Sequence, residues 1–217
     1  MESEVQRLLA RLPGKDCGQC GFKTCEEFAH HAAAHPEALR RCLYVDQPQK
    51  PGAPPVTELL EADITWKDIL GRDYEFILEP FADDPGPRET ILPFNTANAE
   101  RLAIKQGDIL FGRPAWVGCP VTHVGKVMED PDPLNGTIVW CVVGPLAARE
   151  HGIEIGQYNP VAYEGIVRFT RQPLHIGARY HFLPHYCMLQ SRHSAVISAL
   201  AKRKTGLRVR LEGIWID

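Results

Sequence analysis

Cys17, Cys20, Cys25 and Cys42 stand at C-x2-C-x4-C-x16-C spacing near the start of the 217-residue chain. The stretch they occupy, residues 1–45, holds too few apolar side chains for a self-sufficient core. Chains of about 40 residues usually need a metal, disulfides or a partner to fold. Seven cysteines is an odd number, and clustering of this kind in a reducing compartment reads as metal binding rather than disulfide pairing. The cysteines are therefore expected to hold this segment together as well as to serve it.

The local pattern around them is helical. Val5, Leu8, Leu9 and Leu12 recur at helical spacing, and Pro13-Gly14 ends that helix. Thr24-Cys25-Glu26-Glu27 fits a capping box that opens a second helix, with Phe28, Ala29, Ala32 and Ala33 as its apolar face. Pro36 opens a short third one, which runs into Cys42. Three close thiolates and one distant fourth suit a [4Fe-4S] cubane, whose four irons each need one ligand. Gly18 and Gly21 let the backbone wrap closely beside the ligands. Cys25, at a helix start, lies where partial positive charge favours an anionic cluster. The competing reading is a structural zinc, but zinc sites usually present two paired knuckles, and this chain has one C-x2-C.

Residues 12–42, with Leu12-Pro13-Gly14, the run CGQCGFKTCEEFA and then Cys42, resemble the four-cysteine [4Fe-4S] domain family. That family includes a domain of the corrinoid iron–sulfur protein large subunit and one of the Rnf complex B subunit. The resemblance implies that Cys17, Cys20, Cys25 and Cys42 are the cluster ligands. It also implies an anaerobic, one-carbon or low-potential electron-transfer setting, with a redox protein partner of corrinoid or carbon monoxide dehydrogenase/acetyl-CoA type.

Residues 46–55, with four prolines and one glycine, read as a semi-rigid linker and a domain boundary. The remainder, 56–217, reads as a β-rich mixed domain, so the expected fold class is α+β. Strands are expected at 75–78, 90–94, 108–111, 123–128, 137–143, 162–169, 179–183 and 207–216. Helices are expected at 98–104 and 191–203, and Asn135-Gly136 marks a hairpin turn.

Cys119, Cys141 and Cys187 have no neighbour at metal-ligand spacing. Free cysteines of this kind are commonly core residues. The sharper alternative joins Cys119, Cys141 and Cys187 with His123 or His185 in a second metal or substrate site. His31 and His35, at i,i+4, could form a two-histidine face. Tyr180, His181, His185, Tyr186, Gln190, Arg192 and His193 suggest a polar pocket, and Lys202, Arg203, Lys204, Arg208 and Arg210 form a basic cluster that a solvated surface also explains. Ser191 and Ser194 beside His193 could suggest a nucleophile, but no orienting acid is identifiable.

The net charge of -3 gives no global basic field for nucleic acid. No apolar run reaches the roughly 18 residues of a membrane span, and the first residues lack a signal-peptide pattern, so a cytoplasmic setting is expected. There is no P-loop, G-x-G-x-x-G, G-x-S-x-G or H-E-x-x-H. The leading expectation is low-potential electron transfer to a redox partner. The alternatives are a redox enzyme with its own site in the larger domain, and a non-redox adaptor or maturation factor.

Overall fold

A computed structural model describes residues 2–45, 61, 64–144 and 152–216. The expected linker at 46–55 lies outside them.

The N-terminal segment forms α1 (Glu2–Arg11), α2 (Cys25–Ala34) and a 3-10 turn (Pro36–Arg41). Val5, Leu8 and Leu12 of the first helical stretch meet Phe28, Ala29 and Ala32 of α2, with Ala38 and Cys42 completing a small core. Thr24 caps α2 by accepting the Glu27 amide at 3.1 Å. Glu27 reaches back one residue further than in a standard capping box, accepting the Lys23 amide at 3.0 Å.

The remainder, among the described residues, is built on one nine-stranded sheet folded on itself. The strands are β1 (Phe76–Leu78), β2 (Arg88–Pro93), β3 (Ile109–Pro114), β4 (His123–Val127), β5 (Ile138–Val142), β6 (Ile153–Val167), β7 (Arg179–Pro184), β8 (His193–Arg203) and β9 (Gly206–Ile216). Their order is β1-β7-β8-β9-β6-β2-β5-β4-β3, and β3 also pairs with β6. This last, parallel pairing closes β6, β2, β5, β4 and β3 into a barrel. Ile91, Leu110, Ile138, Trp140 and Tyr158 fill it. The far half of β6 pairs with β9. From there β8, β7 and β1 lead back to β6 through an antiparallel bridge between Glu79 and Ile166. Phe76, Tyr163, Phe182, Ile197 and Leu211 form the second core. The single long strand β6 is thus common to two closed groups of strands. Small helical elements followed by a β-rich region with a closed barrel are broadly the expected α+β class.

Three expectations need correction. Residues 193–203 are strand β8, not a helix. Ala, Leu, Lys and Arg give HSAVISALAKR helical propensity, but β8 is held between β7 and β9. Register shifts between Ser194 and Val196 and between Ile197 and Ala199 break the two-residue alternation that would have marked it. The second concerns β6, which starts at Ile153 rather than 162. Glu154, Gln157, Asn159 and Pro160 disguise its first half. Pro160 sits where the register with β2 shifts, a place where a missing amide is tolerated. The expected helix at 98–104 is shorter, α3 (Asn98–Arg101).

Among the described residues, Lys126 and Asp108 tie the helical segment to the barrel. Lys126 of β4 donates its ammonium to the Asp16 carbonyl and, at 3.1 Å, to the Lys23 carbonyl. Lys23 in turn pairs with the buried Asp108. Gly18 has φ 77°, and a Cβ there would lie 2.9 Å from Ile109 Cδ1. Its lack of a side chain therefore lets the cysteine loop approach the barrel, as well as turn.

Candidate functional site

Cys17, Cys20, Cys25 and Cys42 all line one small enclosed cavity in the helical segment. A turn from the Gly21 amide to the Gly18 carbonyl, 2.9 Å, brings Cys17 and Cys20 around it. Cys25 opens α2, and its amide donates to Asp16 Oδ1 at 2.6 Å. Cys42 ends the 3-10 turn. Burial pushes the Cys17 and Cys42 thiols up and the Cys20 thiol to about 11, while amides of Gln19, Phe22, Tyr44 and Val45 hydrogen-bond the sulfurs and oppose that shift. Thiols in this setting hold their protons until a metal displaces them. The amides are then ready to stabilise thiolate and cluster sulfur. Four thiols, amide donors and no histidine make a donor set that fits an iron–sulfur cluster. His31 packs at a tilt against Phe22 and stacks on His35, each with ring centroids 4.8 Å apart, and neither histidine lines the four-cysteine cavity.

A second cavity, about 820 Å³, opens beside the first. Its walls come from the segment between β1 and β2, from β4, and from the loop after β7. Gln19 and Tyr44 line both cavities, so the two share a wall. Phe81, Val121, Val143 and Leu189 give it an apolar surface. The two arginines on it are already engaged. Arg88 makes two bonds to Asp84, at 2.8 and 2.6 Å, and Arg168 pairs with Glu79.

The second set of candidate residues separates here. Cys119 and His123 meet in this cavity, with Sγ and Nε2 3.7 Å apart. Cys187 lines the same cavity; burial pushes its thiol up, opposed by the Leu189, Gln190 and Ser191 amides. Cys141 does not join them. It is buried on β5 next to Trp140, which fills the barrel, and it borders Asp84 and Gly86 outside. Burial drives its thiol strongly up, as expected of a core cysteine. His185 does not join them either. It stacks on Tyr186 at 4.6 Å and lines a different cavity, and burial lowers its pKa. Among the described residues no three His, Cys, Asp or Glu side chains are placed to hold one metal ion. Ser194 faces Arg179 at 3.5 Å, while His193 Nδ1 lies 3.0 Å from the Ser191 carbonyl, so no serine nucleophile is assembled.

Sequence reasoning missed Glu89, Tyr158 and Tyr163. His123 Nδ1 lies 2.9 Å from the Tyr158 hydroxyl and 3.5 Å from Glu89 Oε1. Trp140 Nε1–H donates to Glu89 Oε2 at 3.0 Å. Burial on its own would lower the His123 pKa; the facing Glu89 carboxylate and the Cys119 sulfur outweigh it and hold it at about 10. Both tyrosine hydroxyls face Glu89, and burial, reinforced by that carboxylate, raises their pKa values well above the usual. A glutamate on β2, in alternation with Thr90 and Arg88, carries no signal in the sequence of its pairing with a histidine more than thirty residues on.

No helix among the described residues is long and apolar enough to cross a membrane. Residues 12–44 match the family model "FeS: Putative Fe-S cluster". No solved structure matches the chain. The uncharacterized protein MJ0119 of Methanocaldococcus jannaschii is 30% identical over 223 aligned positions, which cover 97% of this chain and 92% of that protein. With that identity extending through both the cysteine segment and the barrel region, the chain belongs to the same family as the Methanocaldococcus jannaschii protein.

Proposed function

We propose that the protein is an iron–sulfur redox protein, in which Cys17, Cys20, Cys25 and Cys42 hold a [4Fe-4S] cluster that exchanges single electrons with a ligand or partner at the neighbouring cavity. The observation that carries this reading is the shared wall. Gln19 and Tyr44 border the four-cysteine cavity on one side and the 820 Å³ cavity on the other. A cluster bound there supplies one-electron chemistry at a potential set by burial and by amide bonds to sulfur. The chain's own residues do the rest. Gly18 allows the close seating of the loop, and Lys126 and Lys23 hold it to the barrel and place positive charge near an anionic group. Four cysteines with a single C-x2-C pair support a multi-iron core over zinc, whose sites usually present two such pairs. An anaerobic setting and a partner of corrinoid or carbon monoxide dehydrogenase/acetyl-CoA type are part of the same proposal and rest on the resemblance of residues 12–42; a cytoplasmic setting is proposed with them from the sequence pattern alone.

The test is iron, zinc and acid-labile sulfide per chain on anaerobically purified protein, with an EPR spectrum after dithionite reduction. About four irons, four sulfides and a reducible signal are expected. One zinc without sulfide would sink the redox reading. About eight irons would place a second cluster in the barrel region and overturn the single-cluster assignment. Serine at any one of the four positions is expected to abolish or convert the EPR signal, and serine at Cys141 to leave it unchanged.

A further inference from the structure

The segment carrying Cys119 is built under strain. Trp116, with φ 66°, and Gly118, with φ 87°, both lie in the left-handed region. A Cβ on Gly118 would fall 2.5 Å from the Ile216 carbonyl oxygen, and the Ile216 amide donates to the Val117 carbonyl at 2.7 Å. Backbone of this kind persists only where packing over-determines it, and it collects at functional sites. Here it pins Cys119 against the end of β9 and leaves its sulfur 3.7 Å from His123 Nε2, in the wall of the cavity.

The imidazole is held from behind. Its Nδ1 faces Tyr158 and Glu89, and Glu89 is itself fixed by Trp140. A buried carboxylate needs a charge or hydrogen-bond partner, and the ring supplies one. With Nδ1 facing these groups, Nε2 is left facing the Cys119 sulfur. A hydrogen bond from a cationic imidazole favours the anionic form of sulfur, and the thiolate is the nucleophile.

We propose that Cys119 is a nucleophile toward an activated acyl carbon, an ester or thioester on an apolar body, with His123 as its proton partner and Glu89 as the residue that positions the ring. The cavity fits that ligand class. Its walls are apolar at Phe81, Val121, Val143 and Leu189, and both of its arginines are engaged with carboxylates. A neutral, largely apolar molecule loses least on entering it. Cys119 reacts as the thiolate of a thiolate–imidazolium pair with His123: its sulfur attacks the carbonyl carbon and a C–S bond forms. The bond to the leaving oxygen or sulfur breaks, and its electron pair goes to that atom, which takes the proton from His123 Nε2. The acyl group is left on Cys119. Water then attacks it with the now neutral Nε2 as base, the acid is released, and the thiolate–imidazolium pair is restored. No oxidant or reductant is consumed, so the proposal stands apart from the electron-transfer reading although it uses the same cavity.

The experiment uses the full, anaerobically purified chain. Alkylation by iodoacetamide near pH 7 is followed cysteine by cysteine through peptide mass spectrometry. Cys119 is expected to react at least about tenfold faster than Cys187, which lines the same cavity, and about tenfold faster than Cys119 in His123→Gln or Glu89→Gln protein that keeps its circular dichroism. The groups facing Cys119 and His123 are Glu89, Tyr158, Tyr163 and Cys187, so the comparison is made at one pH. Next, p-nitrophenyl butyrate and the butyryl thioester of N-acetylcysteamine are offered separately, and a butyryl adduct on Cys119 is sought. An adduct from only one of them identifies the ester or the thioester as the source. Equal alkylation rates, no adduct from either donor, or an adduct that persists in Cys119→Ser would overturn the proposal. Iron and sulfide are assayed on the same sample: iron-free protein that acylates at Cys119 overturns only the electron-transfer reading, and iron-loaded protein without an adduct overturns only this one.

Discussion

His123 shows how one buried residue ties stability to pH. Its pKa is held at about 10 in the fold against the ordinary value near 6.5. A raised histidine stabilises fully below its unfolded pKa, and that contribution is lost as pH rises through the folded value. The melting temperature of the wild type should therefore exceed that of Glu89→Gln by most below about pH 6.5, and the gap should narrow toward pH 10. Thermal melts across that range check it; a gap independent of pH would mean that Glu89 acts only through its hydrogen bonds. The sequence made Cys119 and His123 candidates only as chemistry-bearing side chains near a strand end, with no ligand spacing between them. It could not reveal Glu89, since only β2 pairing between β5 and β6 brings that residue to the ring. Cys141 shows the converse: an apolar run pointed to core, and the core reading describes where it lies.

At the scale of elements, glycines separate steric need from mere conformational freedom. Gly125 on β4 has no unusual φ, but a Cβ there would lie 2.3 Å from the Trp140 ring. Gly125→Ala should destabilise by about 1–3 kcal/mol through overpacking. Gly71, with φ 75° and nothing within 4 Å, should cost only about 1 kcal/mol as alanine, the price of a left-handed residue. Urea unfolding of both variants checks the contrast. Most elements were legible from the sequence, with strands β1 to β5 each found within a few residues. The exceptions share one cause. In β8 and β6 the bulges and Pro160 interrupt the two-residue period, and long-range pairing rather than local preference decides the conformation. The N-terminal helices were easier because caps, spacing and breakers are all local signals.

Across the whole molecule, the helical segment depends on a few polar contacts for its seat on the barrel. Lys126→Met removes the ammonium that bonds the Asp16 and Lys23 carbonyls. It should speed the loss of iron to a chelator several-fold, while the fresh protein keeps its iron content; an unchanged rate would mean that the seat is held elsewhere. No reading of single segments could have found the cavity against which that seat closes. Its wall draws on residues from Gln19 to Thr205 and exists only once the sheet has closed.

The shared strand has a consequence for how the chain reaches this state. β6 draws its partners from both directions of the sequence, β2 and β3 long before it and β9 near the far terminus. Neither closed group can finish without it, and the second must wait for residues 206–216. Pairings so distant along the chain slow the search for the native state. Until β9 arrives, β6 presents an unpaired edge open to another chain. Refolding from urea should accordingly be slow and grow less efficient as protein concentration rises, and a chain ending before residue 206 should aggregate rather than yield a smaller working barrel.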